Sequence, residues 1–525
     1  MPPQCRDSQE SLERAFSLLA RLHHRPCTKD TPVVVHHFTH AGLGNAIGQL
    51  LLSLHFAALH ERTLVLSPLT DWVWTNGTGF DATDLFWPSS CDVLARRSIG
   101  DAKAFTRAIR MRGIFCPSYG CTWANVLPSP VADLCMVTWF SHLTNFILRP
   151  SGRMMAWLQA TAQPACSQSL CAGGITVGWR ARRAKHIERI ERSQLMAAFK
   201  PPERAALQWR PRFAFDLANR LNIGVKSSSS APVISLHVRA ADACASARPR
   251  WQRPECAFDE SRGWNAGVVA RLRRWAMQTT ISNGGGRVTA DGSSRVVVLS
   301  TDSARMYETR EQLRLLFGAS AVLGFDFPRR KYAQDPTSTA EGLTSAASKP
   351  AAIAFLENRL RDKQLSTAQV LAEALLDLGI LAQGSVIIAS FYSNFARLAL
   401  ALSDGGSHAA LFDGCLWCPY HVCQAGCTDI ERLCDSPHLL AQEELSTGPR
   451  GDMQTTGLMP RRMPHRSPAA MLNVTHEARR PWVQLMQHLV HLDGTRNGAR
   501  ADKRAVCVRA FNATAAALRR MPAIY

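Results

Sequence analysis

Short β-branched runs alternate with longer apolar segments of helical period along most of this chain, and that alternation leaves few folds open. Val33–Val35 reads as a strand, followed by the loop His36–Gly44, an apolar helix over Ile47–Leu59 and a second strand, Thr63–Leu66. Strand, glycine loop, helix, strand is the opening of a Rossmann-like unit, with Leu50, Leu51, Leu54 and Ala58 facing the sheet. The second half repeats the pattern. Val233–Val238 predicts a strand, Val268–Met277 a helix, Asn283–Ser294 a Gly/Ser loop, Val296–Ser300 a strand and Ala304–Phe317 a helix. After the polar stretch Gln334–Lys349 come a helix over Gln369–Leu381, a strand at Ser385–Ala389 and a helix over Asn394–Leu402. The expected class is α/β, and two facing Rossmann-like domains are the simplest architecture.

The expected boundaries follow from composition shifts. Residues 1–30 read as a polar leader, 31–226 as an N-terminal domain, 227–435 as a C-terminal domain opened by the Ser227–Ser230 linker, and 436–525 as a basic, partly disordered tail with a possible helix near Ala505–Arg520. Asp71–Gln168 has no clear period and is read as irregular. Two helices are expected between Arg180 and Arg220, around the Lys200-Pro201-Pro202 break.

The chain has 525 residues, 46% of them hydrophobic and 19% charged, which is a globular composition with ample material for a core. Its net charge of +20 would attract nucleic acid, acidic membrane surfaces or a phosphorylated small substrate. There is no block of five or six consecutive basic residues and no nucleic-acid-binding module, so nucleic acid is not expected as a partner. Sixteen cysteines favour an oxidising compartment, with Cys116 and Cys121, Cys166 and Cys171, and Cys244 and Cys256 close in sequence. Cys415, Cys418, Cys423, Cys427 and Cys434, with His421, read as disulfides ahead of a zinc knot. Asn-x-Ser/Thr acceptors stand at Asn76, Asn473 and Asn512. The first 30 residues do not form a signal peptide or membrane anchor. The cysteine content favours a lumenal protein whose anchor is missing from this chain over one that is not secretory.

Four segments carry chemistry. In Val233-Ile-Ser-Leu-His-Val-Arg-Ala-Ala-Asp242 a strand runs into a His, Arg and Asp cluster at its C-terminal end, where ligands sit in open α/β sheets. His237 and Arg239 share one face of that strand, and the guanidinium fork of Arg239 suits phosphate oxygens. By spacing alone, an Arg239–Asp242 salt bridge closing the strand is an equal reading. The second segment, Val297-Val-Leu-Ser-Thr-Asp-Ser303, is a strand ending in Thr-Asp. The third, Ser385 to Arg397, is a strand, a Ser-rich turn and a helix start. The hydroxyls of Ser390 and Ser393, the amides around Asn394 and the cation of Arg397 would together make an anion site there. The fourth, Gly42-Leu-Gly-Asn45, is a glycine loop after a strand and by itself reads equally as a tight turn.

Taken together these segments resemble the α1,6-fucosyltransferases, the protein O-fucosyltransferases and related enzymes, in patches from Val33 to Cys434. The resemblance implies the two-domain GT-B form and a GDP-fucose donor. It implies Arg239 on the β-phosphate, Asp302 near the guanine, and Gly42, Gly44 and Asn45 facing the donor. It implies inverting transfer to a glycan or protein hydroxyl in the Golgi or ER lumen, with no metal or other cofactor; the sequence has no Asp-x-Asp metal motif. His237, Ser390, Ser393, Asn394 and Arg397 complete the expected donor site, and Arg239 and Asp242 the catalytic pair. The pattern departs from the family at Ala240, where many relatives carry a second Arg, and in Cys244–Cys256, where a downstream Glu base would fall. Asp242 is the first candidate for the base, ahead of Glu255 and Asp259, although its nearness to Arg239 suits an orienting role better. Transfer from another nucleotide sugar and a catalytically inactive binding protein on the same fold are the rival readings.

Overall fold

The structure is a computed structural model. It describes residues 9–28, 30–38, 41–66, 72–97, 114–115, 127–132, 134, 136–166, 170, 178–199, 209–223, 233–238, 258–259, 263–264, 269, 295–317, 319–332, 356–384, 386–389, 393–403 and 408–411, all within one compact unit, Met1–Gln424. The β-branched runs form the strands for the expected reason: they are buried on both faces, as parallel strands covered by helices must be. In the first half, β1 (Val33–His36) pairs in parallel with β2 (Thr63–Leu66) on one side and β3 (Ile114–Phe115) on the other. Helix α2 (Leu43–Leu59) connects β1 to β2 and packs on both.

The second half holds a five-stranded parallel sheet. Its strands are β4 (Val233–Val238), β7 (Arg295–Thr301), β8 (Ala319–Leu323), β9 (Val386–Ala389) and β10 (His408–Leu411), in the spatial order β8-β7-β4-β9-β10. Numbered from its own first strand, that is the 3-2-1-4-5 order of a doubly wound sheet, in which the chain reverses direction between β4 and β9. Ile234, Leu236, Val238, Val297, Leu299 and Ile388 fill its core. A two-residue antiparallel pair, β5 (Phe258–Asp259) and β6 (Gly263–Trp264), lies outside this sheet. The protein is thus mixed α/β with parallel sheets.

Several helices depart from expectation. The polar leader contains α1 (Gln9–His24), whose Glu10 and Arg21 are exposed while Leu12, Phe16, Leu19 and Leu22 are buried, so an amphipathic helix was concealed by its charged face. The stretch read as irregular holds α3 (Ala82–Leu85), α4 (Ser90–Arg97), α5 (Met136–Ile147) and α6 (Gly152–Ala165). Residues 138–147 of α5 are all buried, and a helix covered on every side shows no period. The two helices expected around the Pro-Pro break are present as α7 (Gly178–Ala198) and α8 (Phe213–Arg220). The helix read as Ala304–Phe317 is broken at Thr309 into α9 (Ala304–Glu308) and α10 (Arg310–Phe317). Helices α11 (Leu356–Arg361), α12 (Thr367–Leu381) and α13 (Asn394–Leu402) complete the set.

The two halves are packed together. Helix α13, which follows β9, lies against α5 and α2 of the first half. The hydroxyl of Ser141 and the amide of Asn145 on α5 both donate to the Ala401 carbonyl, the latter at 2.9 Å. Gly379 of α12 lets Leu217 of α8 approach so closely that a Cβ there would stand 2.3 Å from Leu217 Cδ2. Beneath this interface Glu191 accepts from Arg149 Nη2 at 2.7 Å and from Arg212 Nη2 at 2.6 Å, with all three side chains buried. Burial pushes the carboxyl of Glu191 up, but the two guanidinium groups outweigh it and hold it below the ordinary carboxylate range. Trp87 and Trp209 flank Arg149 at 4.8 and 5.0 Å from their ring centroids.

A disulfide joins Cys27 to Cys91 across 64 residues, tying the chain just after α1 to the first turn of α4 beside Val33, Val35 and Val65. Nearness in sequence pointed elsewhere, because this pair is brought together by the β1–β2 crossover. Cys166 is also disulfide-bonded. The remaining cysteines of the close-in-sequence pairs, the Cys415–Cys434 group, the loop Asn283–Ser294, the linker Ser227–Ser230 and the tail lie outside the described residues, as does all but Val269 of the helix expected at Val268–Met277. No helix among the described residues is long and apolar enough to cross a membrane.

Candidate active site

Strands β4 and β9 are neighbours in parallel register and end on the same edge of the sheet, so their C-terminal ends flank the point where the strand order reverses. In open α/β sheets ligands bind in the crevice at that point. The topology thus carries His237 at the end of β4 and Ser393 at the start of α13 to one place, although 156 positions separate them in sequence. The described part of this meeting is direct. His237 is buried at the end of β4, its Nε2 lies 3.2 Å from Ser393 Oγ, and its ring is tilted against Phe395 at 5.2 Å.

The glycine loop of the first half reaches the same place. Asn394 Nδ2 donates to Asn45 Oδ1, so the first side chain of α13 is joined to the first turn of α2. Gly44 permits it. A Cβ on Gly44 would stand 2.9 Å from Phe395 N and 3.2 Å from both C and Cβ of Asn394. A Cβ on Gly42, the N-cap of α2, would meet nothing nearer than Glu357 Oε2 at 3.9 Å. Gly44→Ala is therefore expected to cost about 1–3 kcal/mol through overpacking at a backbone contact, and Gly42→Ala much less; urea midpoints of both variants check this.

Two helix N-termini converge here. The first-turn amides of a helix have no intrahelical acceptor, and the helix dipole places partial positive charge on them. Neither α2 nor α13 has an acidic residue in its first turn, and neither N-cap supplies a side-chain hydrogen bond. The Ser393 hydroxyl, read from the sequence as an anion ligand, faces His237 and does not cap its own helix. Arg397 is buried one turn into α13. The combined field favours an anion, and the donor set suits phosphate oxygens.

Asp302 lies on the neighbouring strand end, one residue past Thr301, which is paired with Val238. It is half-buried in a tight turn: Ser303 N donates to Thr301 Oγ1 at 3.1 Å, and Ser303 Oγ caps α9 by accepting from Met306 N at 3.0 Å. Beneath the turn, Arg329 donates to the Thr301 carbonyl and to both oxygens of Asp377, at 2.9 and 3.1 Å. Ser300 Oγ donates to Asp377 at 3.2 Å. Burial works against the charge of Arg329, but Asp377 outweighs it and raises the guanidinium above its ordinary value.

Sequence reasoning missed four side chains at this site. Glu357 brings a carboxylate to the glycine turn. Trp74 Nε1 donates to the Ala41 carbonyl at 2.8 Å and braces the same turn. Arg329 and Asp377 hold the Asp302 turn from below. Only the fold places them here. Arg239, Asp242, Ser390 and the candidate base Glu255 lie outside the described residues, and of Asp259 only the backbone, in β5, is described.

Among solved structures the chain is similar to a mutant Arabidopsis thaliana FUT1 in complex with GDP, at 13% identity over 78% of this chain and 75% of that one, with a TM-score of 0.32. It is also similar to fucosyltransferase NodZ from Bradyrhizobium, at 13% identity over 70% and 92% of the two chains, TM-score 0.29. NodZ alpha-1,6-fucosyltransferase soaked with GDP-fucose is similar at 16% identity over 71% and 93%, TM-score 0.26. No family model matches the chain, and no curated protein does.

Proposed function

We propose that this chain is a glycosyltransferase of the GT-B form that moves fucose from GDP-fucose to a hydroxyl of a glycan or protein in the Golgi or ER lumen, with inversion and without a metal ion. The observation that carries this reading is the convergence of the α2 and α13 N-termini and the glycine loop, with Ser393 beside His237 at the end of β4. The acceptor oxygen attacks the anomeric carbon while the bond to the diphosphate breaks. The charge that develops falls on the departing β-phosphate, where the amides of the two helix starts, Arg239 and Arg397 would stabilise it. Asp302 on its braced turn would accept from the guanine N1–H and amino group. Asp242 and Glu357 are the carboxylates for the acceptor proton; a positioned base contributes roughly 10²- to 10⁴-fold.

The test begins with nucleotide binding. GDP at a hundred times its Kd is expected to stabilise the protein by about 2.7 kcal/mol in a thermal unfolding assay, and UDP to do nothing. Equal stabilisation by UDP favours another nucleotide sugar, and none by either removes the reading. Arg239→Lys keeps the charge but loses the fork, so kcat is expected to fall more than KM rises, with Arg239→Ala worse by about an order of magnitude. GDP stabilisation without donor turnover would point to a catalytically inactive binding protein.

A further inference from the structure

We propose that Asn76 is an N-glycosylation site. The sequon Asn76-Gly77-Thr78 occupies the apex of a turn, and the turn is built to present it. Trp72, Val73, Trp74 and Thr75 before it are buried, whereas Asn76 and Gly77 are exposed. The reversal is held by Asn76 N donating to the Trp72 carbonyl at 2.9 Å and by Gly77 at a φ of 73°, a conformation that favours glycine. Both flanks are fixed to the body. Trp74 is bonded to Ala41, and on the far side Arg153 Nη2 donates to the Gly79 carbonyl at 3.0 Å and covers the ring of Phe80. Among the described residues the Asn76 side chain makes no hydrogen bond. A bulky polar substituent at its Nδ2 therefore displaces no contact and extends into solvent.

The chemistry requires a second substrate, a lipid-linked oligosaccharyl diphosphate. The Asn76 Nδ2 forms a bond to the anomeric carbon, the bond from that carbon to the diphosphate oxygen breaks, the amide nitrogen gives up one proton, and the lipid diphosphate leaves; nothing is oxidised or reduced. In the folded turn Thr78 Oγ1 donates to the Thr75 carbonyl at 2.7 Å and accepts from Phe80 N at 3.1 Å. That hydroxyl is needed for recognition of the sequon, so transfer precedes closure of the turn. The disulfide between Cys27 and Cys91 supports passage through the oxidising compartment where such transfer occurs. The proposal rests on the lumenal part of the functional reading and is independent of the nucleotide.

The experiment uses the full chain purified from a eukaryotic cell that expresses it. Digestion with a peptide N-glycosidase in heavy-oxygen water is expected to convert Asn76 to isotope-labelled aspartate, detected in its tryptic or chymotryptic peptide. Asn76→Gln is expected to remove one glycan from the intact mass, Thr78→Ser to retain it, and GDP stabilisation to be unchanged in both. Unmodified Asn76 overturns the proposal, whether or not Cys27 and Cys91 are joined in that material. A failed GDP assay with an occupied Asn76 would overturn only the donor reading.

Discussion

Glu191→Gln is expected to destabilise the protein by about 3–5 kcal/mol, because it removes the charged group to which two buried guanidinium groups donate. Arg149 and Arg212 both take their ion pair from this one side chain, and all three are removed from water. Arg149 also spends two donors on the carbonyls of Asn145 and Arg210, each at 2.9 Å, so it cannot swing out without opening the junction of α5 with the segment before α8. The exposed pair Arg330–Glu308 is the control, and Glu308→Gln should leave the urea midpoint nearly unchanged, because solvent screens that pair. Urea midpoints of the two variants decide the matter. Equal midpoints would mean that the triad is hydrated and contributes little to stability.

Acidification is the second large effect. Burial lowers His23 to about 4, and His36 and His142 to about 3, with Arg212 adding to the effect at His142; His24 is also held well below its ordinary value. The geometry agrees. His23 Nε2 lies 2.8 Å from the Trp87 carbonyl and must carry the proton, so a second proton would go to a buried Nδ1 with no acceptor. His36 Nδ1 faces Ser53, whose hydroxyl donates to the Gln49 carbonyl, and His36 Nε2 is again buried without a partner. Because the folded pKa values lie below the unfolded one, the unfolded chain binds more protons between them. The stability from keeping these rings neutral is complete above about pH 6.5 and is lost as pH falls towards 3–4. Near pH 5 each of the three costs about 2 kcal/mol, roughly 6 kcal/mol together, comparable with the whole stability of an ordinary domain. A melting temperature that stays constant from about pH 7.5 to about pH 5 would contradict this assignment.

How much of this was legible beforehand depends on where the controlling physics is local. The strands Val33–Val35, Val233–Val238 and Val296–Ser300 were readable because a parallel strand is apolar along its length, and the helix over Ile47–Leu59 because it is long and bounded by a glycine turn. Helix α5 was not, since burial on all sides erases its period. Helix α1 was not, because its charges outweigh its inner stripe in composition. The strands Ala319–Leu323 and His408–Leu411 were missed because four- and five-residue runs at a sheet edge carry little pattern of their own.

The site divides along the same line. His237, Asp302, Ser393, Asn394 and the Gly42–Asn45 loop could be named from the sequence because each sits at a strand end or helix start, and those positions are marked by local residue choice. That Asn45 would bond Asn394, that Gly44 is the contact point of two helix starts, and that Ser393 would turn to His237 were decided by tertiary structure alone. The strand order sets two chain ends side by side irrespective of the residues between them, and the packing of α13 on α2 and α5 carries the glycine loop to that edge. The same holds for Cys27–Cys91, Glu357 and the Arg329–Asp377 brace. Local sequence determines which groups can do chemistry, because propensity and polarity act over a few residues; which of them meet is determined by packing, which acts between residues the sequence does not order.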